Sequence, residues 1–394
     1  MKANYKKLGD YIQQVDVRNK ENKCNENNLV GLSMTKEFRK STSNIVGVDL
    51  SKYKIVSNKQ FVCDFMSVIR VYKLPVVLNL ASDVIVSPAY TVFKIKDETK
   101  LLPEYLMIWF RRSEFDRFAF FKCDSAVRGG FDWEELCNSP IIVPNPTEQQ
   151  RIVNAYNIVD RRIRLLQQIN ERLVKLGIFL VDKFISKSIL LNMTDNEIKN
   201  TEKSLQKEWT IKSILDFCEK TESGSTPSRI ESNYWDNGKI PWVKSGEVHN
   251  NITLFSEEYI TEKALKETST KLLPVDTVLM AMYGVTAGEV GYLNIEATTN
   301  QAICGMICKS EGDAAYLYFS LLQNQEQISL MSNGGAQNNL SKNFIENLKI
   351  IAPPKVVIER MNLVLLIKLL KQSYEELSKL QDLKQLIISR ISEM

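Results

Sequence analysis

The chain contains two similar segments about 209 residues apart. The first has Arg-Gly-Gly at 128–130 and Asn-Ser-Pro-Ile-Ile-Val-Pro at 138–144, and the second has Gln-Asn-Asn at 337–339 and Asn-Leu-Lys-Ile-Ile-Ala-Pro at 347–353. Each copy predicts a polar turn, a short helix, an Ile-Ile strand and a proline, followed by a heptad-patterned helix. Because a repeat this long corresponds to a whole domain, the sequence predicts two similar domains with approximate two-fold symmetry.

Both copies are followed by apolar residues at alternating steps of four and three, which is a coiled-coil pattern. In the first helix, which starts with the capping-box pattern Thr-Glu-Gln-Gln at 147–150, the seam is Ile152, Tyr156, Val159, Ile163, Leu166, Asn170, Leu173, Gly177, Leu180 and Phe184. In the second, it is Leu363, Leu366, Leu370, Ser373, Leu377, Leu380, Lys384, Ile387 and Ile391. A helix of roughly 44 residues, about 66 Å long, cannot bury such a seam alone. We therefore expect the two helices to pair antiparallel, with one domain at each end and Asn170 fixing the register.

The predicted fold class is α/β (α+β), with two mixed domains joined by the two long helices. The 44% hydrophobic and 25% charged residues are ordinary for a globular protein. We expect strands at 84–86, 90–95, 278–283 and 302–308 and a helix over 101–121. The predicted boundaries are a first domain at 1–146, a long helix at 147–191, a polar linker at 192–207, a second domain at 208–354 and a second long helix at 355–394.

Charge and cysteine content favour a cytoplasmic protein that is not strongly basic. The net charge of +4 means that any nucleic-acid binding depends on where the cations lie. The seven scattered cysteines and the lack of a signal peptide predict reduced thiols. No apolar run approaches the roughly 18 residues that span a membrane.

The sequence contains no convincing catalytic centre. It lacks a phosphate-binding G-x-x-x-x-G-K-[ST] loop and a G-x-G-x-x-G dinucleotide motif. The single histidine, His249, has no second histidine for a metal site, and Cys304 and Cys308 have no second cysteine pair at zinc spacing. We therefore predict a protein that is not itself an enzyme and needs neither a cofactor nor a metal.

Several local motifs then point to one family. In the second domain these are Gly-Ser-Thr-Pro-Ser at 224–228, Tyr-Trp at 234–235, Ile-Pro-Trp-Val at 240–243, Thr-Thr-Asn-Gln-Ala at 298–302, Gly-Gly-Ala-Gln-Asn-Asn-Leu-Ser at 334–341 and Ile-Ile-Ala-Pro-Pro at 350–354. With the order of domain, helix, domain and helix, they make the chain similar to the specificity subunit of type I DNA restriction–modification enzymes. The first domain has Val-Ser-Pro-Ala-Tyr at 86–90, similar to a variant of the Thr-Asn-Gln segment, but lacks the Gly-Ser-Thr-Pro and Pro-Trp motifs.

The resemblance implies a role in sequence recognition. In that family each recognition domain reads one half of a split, asymmetric site in double-stranded DNA. The helices set the gap between the halves and dock two methyltransferase (modification) subunits, and the complete enzyme adds ATP-driven restriction subunits. The specificity subunit itself neither transfers methyl groups nor cleaves DNA.

Base reading needs paired donors and acceptors at groove edges, with cations near the phosphates. The candidate DNA-binding residues are therefore polar and basic side chains in loops. In the first domain they are Ser33, Lys36, Arg39, Lys40, Arg70, Tyr72 and Arg128. In the second they are Ser225, Thr226, Lys244, Ser245, Tyr283, Thr286, Asn300, Gln301, Gln337 and Asn338. Arg128 is favoured because adjacent glycines let the backbone approach DNA, and amides such as Gln301 match the edge of adenine.

Two other interpretations remain open from the sequence. One is a fused modification protein with a methyltransferase of its own that the motifs do not reveal. The other is a scaffold whose heptad helices join partners without DNA. Binding of S-adenosylmethionine by the isolated chain would favour the fused modification protein. A titration of salt-dependent DNA binding distinguishes the scaffold from the interpretations that involve DNA.

Overall fold

The computed structural model describes residues 5–21, 23–41, 47–125, 130–249, 251–331 and 339–391. The chain forms two compact units, unit 1 comprising Met1–Ile163 with Leu380–Met394 and unit 2 comprising Arg164–Lys379. Each unit has a β-sheet covered by helices, so the predicted mixed α/β class is confirmed. Among the described residues, no helix combines the length and the apolar character that a membrane span requires.

Unit 1 is built on a four-stranded antiparallel sheet in the order β2-β9-β6-β7. Its strands are β1 Tyr5–Lys7, β2 Ile12–Val15, β3 Val30–Leu32, β4 Phe38–Lys40, β5 Lys54–Val56, β6 Gln60–Cys63, β7 Val76–Leu78, β8 Val84–Val86, β9 Thr91–Ile95 and β10 Pro140–Ile142. Its helices are α1 Val68–Val71, α2 Pro103–Phe110, α3 Ser113–Ser125 and α4 Trp133–Asn138, with 3-10 turns at Leu8–Asp10, Glu26–Asn28 and Leu50–Lys52. The strands expected at 84–86 and 90–95 are therefore present as β8 and β9.

The helix expected over 101–121 is divided into α2 and α3. Arg111 ends α2, and the amides of Phe115 and Asp116 then hydrogen-bond to the Arg112 carbonyl. The change of direction brings the rings of Phe110 and Phe115 together at 4.9 Å between centroids. Apolar periodicity continues through this bend because both helices face the same core, and so the periodicity alone does not reveal it.

The first long helix, α5, spans Pro146–Phe184, and the chain then enters unit 2 strands. These are β11 Ile189–Leu190, β12 Thr210–Ser213, β13 Lys220–Ser223, β14 Ile240–Val243, β15 Ile252–Thr253, β16 Glu258–Ile260, β17 Val278–Ala281, β18 Val290–Leu293, β19 Thr298–Thr299, β20 Ile303–Ile307 and β21 Lys349–Ala352. The helices are α6 Asp195–Ser204, α7 Ile214–Phe217, α8 Glu262–Glu267, α9 Glu311–Gln323, α10 Gln325–Leu330, α11 Lys342–Asn347, α12 Lys355–Met361 and α13 Leu363–Arg390, with 3-10 turns at Ser232–Tyr234, Ser245–Glu247 and Gly284–Thr286.

The main sheets of the two units share one strand order. Unit 2 has β13-β20-β17-β18 where unit 1 has β2-β9-β6-β7, and β15 extends the unit 2 sheet. A left-handed residue precedes the equivalent strands β6 and β17, namely Lys59 at φ 62° and Asp276 at φ 68°. Each donates its amide to the chain leaving the neighbouring strand, Lys59 to Asn79 at 2.7 Å and Asp276 to Leu293 at 2.9 Å. The internal repeat is therefore a repeat of backbone structure.

A buried tyrosine links helix and strand in the same way in both units. Tyr105 on α2 donates its hydroxyl to the Ile142 carbonyl of β10 at 2.8 Å. Tyr316 on α9 donates to the Ile351 carbonyl of β21 at 2.6 Å. Burial raises the pKa of both hydroxyls, so each stays a donor at physiological pH. These two hydrogen bonds hold the exit strand of each copy of the repeat against the helix.

The second long helical segment is interrupted by Asn362, whose φ of 56° ends α12 before α13 begins. The segment expected as a polar linker contains α6, which starts with a capping box between Thr194 and Glu197. In unit 1, the Lys384 ammonium lies 2.5 Å from Asp160 on α5. Nearby, Ile152, Ala155, Ile387 and Ile391 line one surface cavity of about 420 Å³. The start of α5 thus packs antiparallel to the end of α13.

Candidate nucleic-acid interface

Three chain segments meet at one edge of the unit 2 sheet. Strand β13 ends at Ser223 opposite Cys304, and β17 ends at Ala281 opposite Ile303, near the start of β20. Because both pairings are antiparallel, residues 224–229 and 282–289 leave the sheet where residues 300–302 enter it. The Met282 amide donates to the Ala302 carbonyl at 2.7 Å, which joins two of these segments directly.

A parallel strand pair brings a fourth segment to the same place. Strands β14 and β19 pair with Trp242 opposite Thr298 and Val243 opposite Thr299. Parallel strands end at the same edge, so residues 244–245 lie beside residues 300–301. The Asn300 amide confirms this by donating to the Val243 carbonyl at 3.0 Å. We call these four segments, residues 224–229, 244–245, 282–289 and 300–302, the loop edge.

Two tryptophans anchor the first segment of the loop edge. The indole of Trp242 donates to the Ser225 carbonyl at 2.9 Å, and that of Trp235 donates to the Ser228 carbonyl at 3.0 Å. The two rings meet edge to face at 5.1 Å. A Cβ on Gly224 would lie 2.0 Å from the Thr299 carbonyl oxygen, so only glycine fits there. The Gly-Ser-Thr-Pro and Trp motifs are therefore parts of one contact.

The two amides of the loop edge are held by their oxygens. Thr226 donates its hydroxyl to Gln301 Oε1 at 2.5 Å, and the Ala302 amide donates to Asn300 Oδ1 at 3.1 Å. Each carboxamide is thereby oriented and keeps its NH₂ group as a hydrogen-bond donor. Ser225 also shares a hydrogen bond with the hydroxyl of Ser269 at 2.9 Å. Four of the predicted site residues, Ser225, Thr226, Asn300 and Gln301, are thus brought together.

The cations of the loop edge are paired with glutamates. Lys244 Nζ lies 2.7 Å from Glu257 and 3.1 Å from Glu258. Arg229 forms an ion pair with Glu258 and lies over the Trp235 ring at 3.7 Å from its centroid. The hydrogen bond from Arg229 lowers the pKa of Glu258, and the hydrogen bonds to Glu257 and Glu258 raise the pKa of Lys244. Both shifts favour the charged forms of Glu258 and Lys244.

The turn between β17 and β18 is closed and well braced. The Gly288 amide donates to the Ala281 carbonyl, and the Ala281 amide donates to the Glu289 carbonyl, both at 2.9 Å. Gly284 and Gly288 take φ values of +74° and +90°, which glycine tolerates. The side chains of the turn that reach solvent include Tyr283, which is 42% exposed, Val285, which is 99% exposed, and the partly exposed Thr286. Tyr283 also forms a bridge with Asn339.

Three predicted residues lie outside the described residues: Arg128, Gln337 and Asn338. Of the remaining unit 2 candidates, Ser245 begins the 3-10 turn after Lys244 and belongs to the loop edge. Sequence reasoning missed Arg229, Glu257, Glu258 and Val285. Arg229 had one signal, its position directly after Gly-Ser-Thr-Pro-Ser, whereas the glutamates join the site only through the pairing of β14 with β16.

In unit 1 the structure removes Lys36 from the candidate set. Its side chain is 5% exposed, and its ammonium lies 2.8 Å from Asp116 and donates to the Phe110 carbonyl. Burial lowers the pKa of Lys36, while Asp116 opposes that shift. Asp116 also accepts from the Leu74 amide at 3.0 Å. Lys36 is thus an internal ion-pair partner that holds the β3–β4 turn to α3, rather than a group that can reach DNA.

The other unit 1 candidates are at the surface, or partly so. Arg39 and Lys40 are exposed on β4, Arg70 and Tyr72 are exposed at the end of α1, and Ser33 is half-buried beside Thr35. Burial and Asp64 raise the pKa of Tyr90, and Arg39 and Arg70 oppose the rise. Tyr90 directly precedes β9, as residues 300–302 precede β20, and the Lys54 ammonium donates to the Tyr90 carbonyl at 2.6 Å. We call Lys54, Arg39, Arg70 and Tyr90 the basic cluster of unit 1.

Comparison with known protein families relates unit 2 to DNA specificity domains. Residues 206–379 match the family model described as the type I restriction modification DNA specificity domain. This match supports the family that the sequence resemblance predicted, and it lies within the second half of the chain.

Individual relatives agree with this assignment. The chain is 31% identical over 168 residues to the type I restriction enzyme MjaIX specificity subunit of Methanocaldococcus jannaschii, covering 40% of this chain and 38% of the relative. It is 27% identical over 139 residues to the EcoR124I/EcoR124II specificity subunit of Escherichia coli, covering 34% of each chain. The chain thus matches little more than a third of the length of these relatives.

A solved structure extends the fold comparison to the whole chain. The S subunit of a type I restriction–modification system from M. genitalium aligns with a TM-score of 0.58 and 14% identity. The alignment covers 99% of this chain and 96% of that subunit. At this identity the likeness concerns the fold, including unit 1, which lies outside the family-model match.

Proposed function

We propose that the chain is the DNA sequence-specificity subunit of a type I restriction–modification enzyme and carries no catalytic activity of its own. Each unit binds one half of a bipartite, asymmetric site in double-stranded DNA. The observation that carries this proposal is the loop edge, where four segments from distant parts of unit 2 present oriented amides, hydroxyls and cations side by side. Such a surface supplies both base-reading groups and phosphate-binding groups.

The direct test uses the purified chain with its methyltransferase partner. Mapping of methylated positions in genomic DNA identifies the cognate site, and the complex should prefer duplexes that carry it. An absence of preference among duplexes would refute the proposal. Binding of S-adenosylmethionine by the isolated chain would instead favour a fused modification protein. A lack of salt-dependent DNA binding would favour a scaffold, because phosphate contacts release counterions.

Gln301 offers the most specific test of base recognition by unit 2. Its carboxamide is fixed by Thr226, so Gln301→Ala removes an oriented donor without creating space in the core. We expect a loss of about 1–3 kcal/mol at one base pair of one half-site, with relaxed specificity there. The exposed Gln206 in the segment before β12 gives a matched control, and Gln206→Ala should change neither half-site.

Unit 1 should read the other half-site with different groups. The basic cluster supplies described cations for this role, and Arg128 stays a prediction from the sequence. Arg128→Ala should weaken or relax recognition of one half-site only, by about 1–3 kcal/mol if it contacts a base. Equal weakening on unrelated sequences would make it a phosphate contact instead.

The long helices are proposed to set the spacing and to dock two methyltransferase subunits. In unit 2, α5 has an apolar stripe on one helical face formed by Leu165, Ile169, Leu176 and Phe179, which are 43–60% exposed. An exposed stripe of this kind is typical of a protein–protein contact. Phe179→Asp should therefore weaken methyltransferase binding while the isolated chain stays folded, and Lys175→Asp on a neighbouring polar position is the control.

The spacing role has its own test. Inserting four residues into each long helix adds about 6 Å of helix at 1.5 Å per residue. We expect the gap between half-sites to change while both half-sequences stay the same. An unchanged gap would contradict the role of the helices as a spacer. The ATP-driven restriction subunits and the cytoplasmic location belong to the same proposal and follow from the type I system as a whole.

A further inference from the structure

Glu258 lies between the two cations of the loop edge. It is the first residue of β16, opposite Trp242 in β14, so the sheet fixes its position. Its carboxylate accepts from Arg229 and lies 3.1 Å from Lys244. The Glu258 side chain is 29% exposed, against 32% for Lys244 and 50% for Arg229. A partly buried anion is thus shared by two cations that stand beside the proposed base-reading groups.

The arrangement is braced from several sides. The Arg229 guanidinium lies over Trp235 at 3.7 Å and within 5.0 Å of the Trp242 ring centroid. Glu257 holds Lys244 from a second direction at 2.7 Å. The Glu247 carboxylate accepts from the amides of Lys244 and Glu257, at 2.9 and 3.0 Å, which fixes both backbones. Neither cation therefore moves freely toward a passing phosphate.

We propose that Glu258, assisted by Glu257, is a specificity-determining residue of unit 2 that acts as an internal counter-anion for Lys244 and Arg229. Lone cations bind the phosphates of any sequence, so they raise non-specific affinity as much as specific affinity. Glu258 occupies these cations until base contacts position the DNA backbone closely enough to compete with it. The inference rests on the proposed DNA-binding function and deepens it.

The test compares the wild-type chain with Glu258→Gln, each in complex with the methyltransferase partner. Binding is measured to a cognate duplex, identified by methylation mapping, and to a scrambled duplex over a range of salt concentrations. We expect roughly three- to ten-fold tighter binding of the scrambled duplex and a smaller gain on the cognate one, so that the specificity ratio falls. The plot of log affinity against log salt should steepen by about 0.9 for each cation that gains a phosphate.

Companion variants separate this role from a general effect of charge. Glu257→Gln should increase the affinity for the scrambled duplex by less than Glu258→Gln does. Glu257 is 67% exposed and pairs with Lys244 but not with Arg229. The double variant Lys244→Met with Glu258→Gln should bind the scrambled duplex less tightly than the single variant Glu258→Gln. Glu262→Gln, an exposed change of equal charge at the start of α8, is the control and should leave the ratio unchanged.

Three results would overturn the inference. One is a Glu262→Gln variant that behaves like Glu258→Gln. Another is a Glu258→Gln variant that loses cognate affinity at one base pair and leaves scrambled DNA unaffected, because Glu258 would then accept a hydrogen bond from a cytosine. The third is that the wild-type complex shows a clear sequence preference and neither glutamate variant changes the specificity ratio. If Glu258→Gln does not fold, Glu257→Gln decides. A wild-type complex without any preference would refute the proposed function itself.

Discussion

The two units share a framework and differ at the edge where their loops emerge. Strand order, the left-handed residues Lys59 and Asp276 and the tyrosine-to-carbonyl hydrogen bonds recur in both. The segments beside the main sheets do not recur, because β5 and β8 of unit 1 pair antiparallel, whereas β14 and β19 of unit 2 pair parallel. A shared framework with different edges is the arrangement that the proposed recognition of two different half-sites requires.

The charges at the two edges show the same contrast. In unit 1, Lys54 of the basic cluster contacts Tyr90, whereas Lys36 is buried in an internal ion pair with Asp116. In unit 2, Lys244 stays at the surface and is paired with glutamates there. The same residue type, chosen from the sequence for the same reason, thus stabilises the fold in one unit and belongs to the proposed interface in the other.

The largest expected effect tests this difference between the lysines. Lys36→Met should lower the free energy of unfolding by about 3–5 kcal/mol, because it leaves the buried Asp116 carboxylate without its cation. Lys244→Met should cost at most about 1 kcal/mol, since that pair is partly exposed. Denaturant unfolding of the full chain measures both, and hydrogen exchange assigns each loss to its unit. Equal losses would mean that Lys244 is also structural.

The second prediction compares Gly224 of the loop edge with Gly130 of unit 1. Gly224→Ala should destabilise unit 2 by about 2–3 kcal/mol, because the new Cβ would lie 2.0 Å from the Thr299 carbonyl oxygen. A Cβ on Gly130 meets nothing within 4 Å, so Gly130→Ala should stay within about 0.5 kcal/mol of the wild type. Thermal unfolding of both variants provides the comparison. A tolerated Gly224→Ala would show that the first loop segment is not anchored as described.

Much of the frame could be predicted from the sequence, since local patterns encode it. The 209-residue offset correctly aligns α4 with α11 and β10 with β21. The site could be predicted only in part. Motif residues such as Thr226 and Gln301 do meet, but their meeting depends on a hydrogen bond between positions 75 residues apart.

What the sequence did not reveal depends on non-local pairing. The burial of Lys36 follows from an acidic partner 80 residues away on α3. The role of Glu258 follows from the register of β14 with β16 and from Arg229, 29 residues earlier. Composition and periodicity report which residues face a core, whereas they do not report which charged side chains will be opposite one another.

The third prediction tests whether the shared frame has equal strength in both units. Tyr105→Phe and Tyr316→Phe should each cost about 1–2 kcal/mol, because each leaves a buried carbonyl without its donor. Tyr156→Phe is the control, since its buried hydroxyl has no hydrogen-bond partner among the described residues, and it should be neutral or stabilising. Denaturant unfolding gives the three values. A marked difference between Tyr105 and Tyr316 would show that the equivalent bonds support the units unequally.

The smallest expected effect isolates side chains at one repeated backbone position. Lys59→Gly and Asp276→Gly both relieve a left-handed conformation, and both add entropy to the unfolded chain. The backbone therefore contributes equally to the change in the free energy of unfolding of the two variants. Lys59 loses only an exposed ion pair with Glu98, and its variant should unfold at the wild-type midpoint or slightly above it. Asp276 loses the partly buried Lys371, and its variant should be about 1 kcal/mol less stable. If both variants unfold at the same midpoint, the backbone of this turn, rather than its side chains, determines its stability.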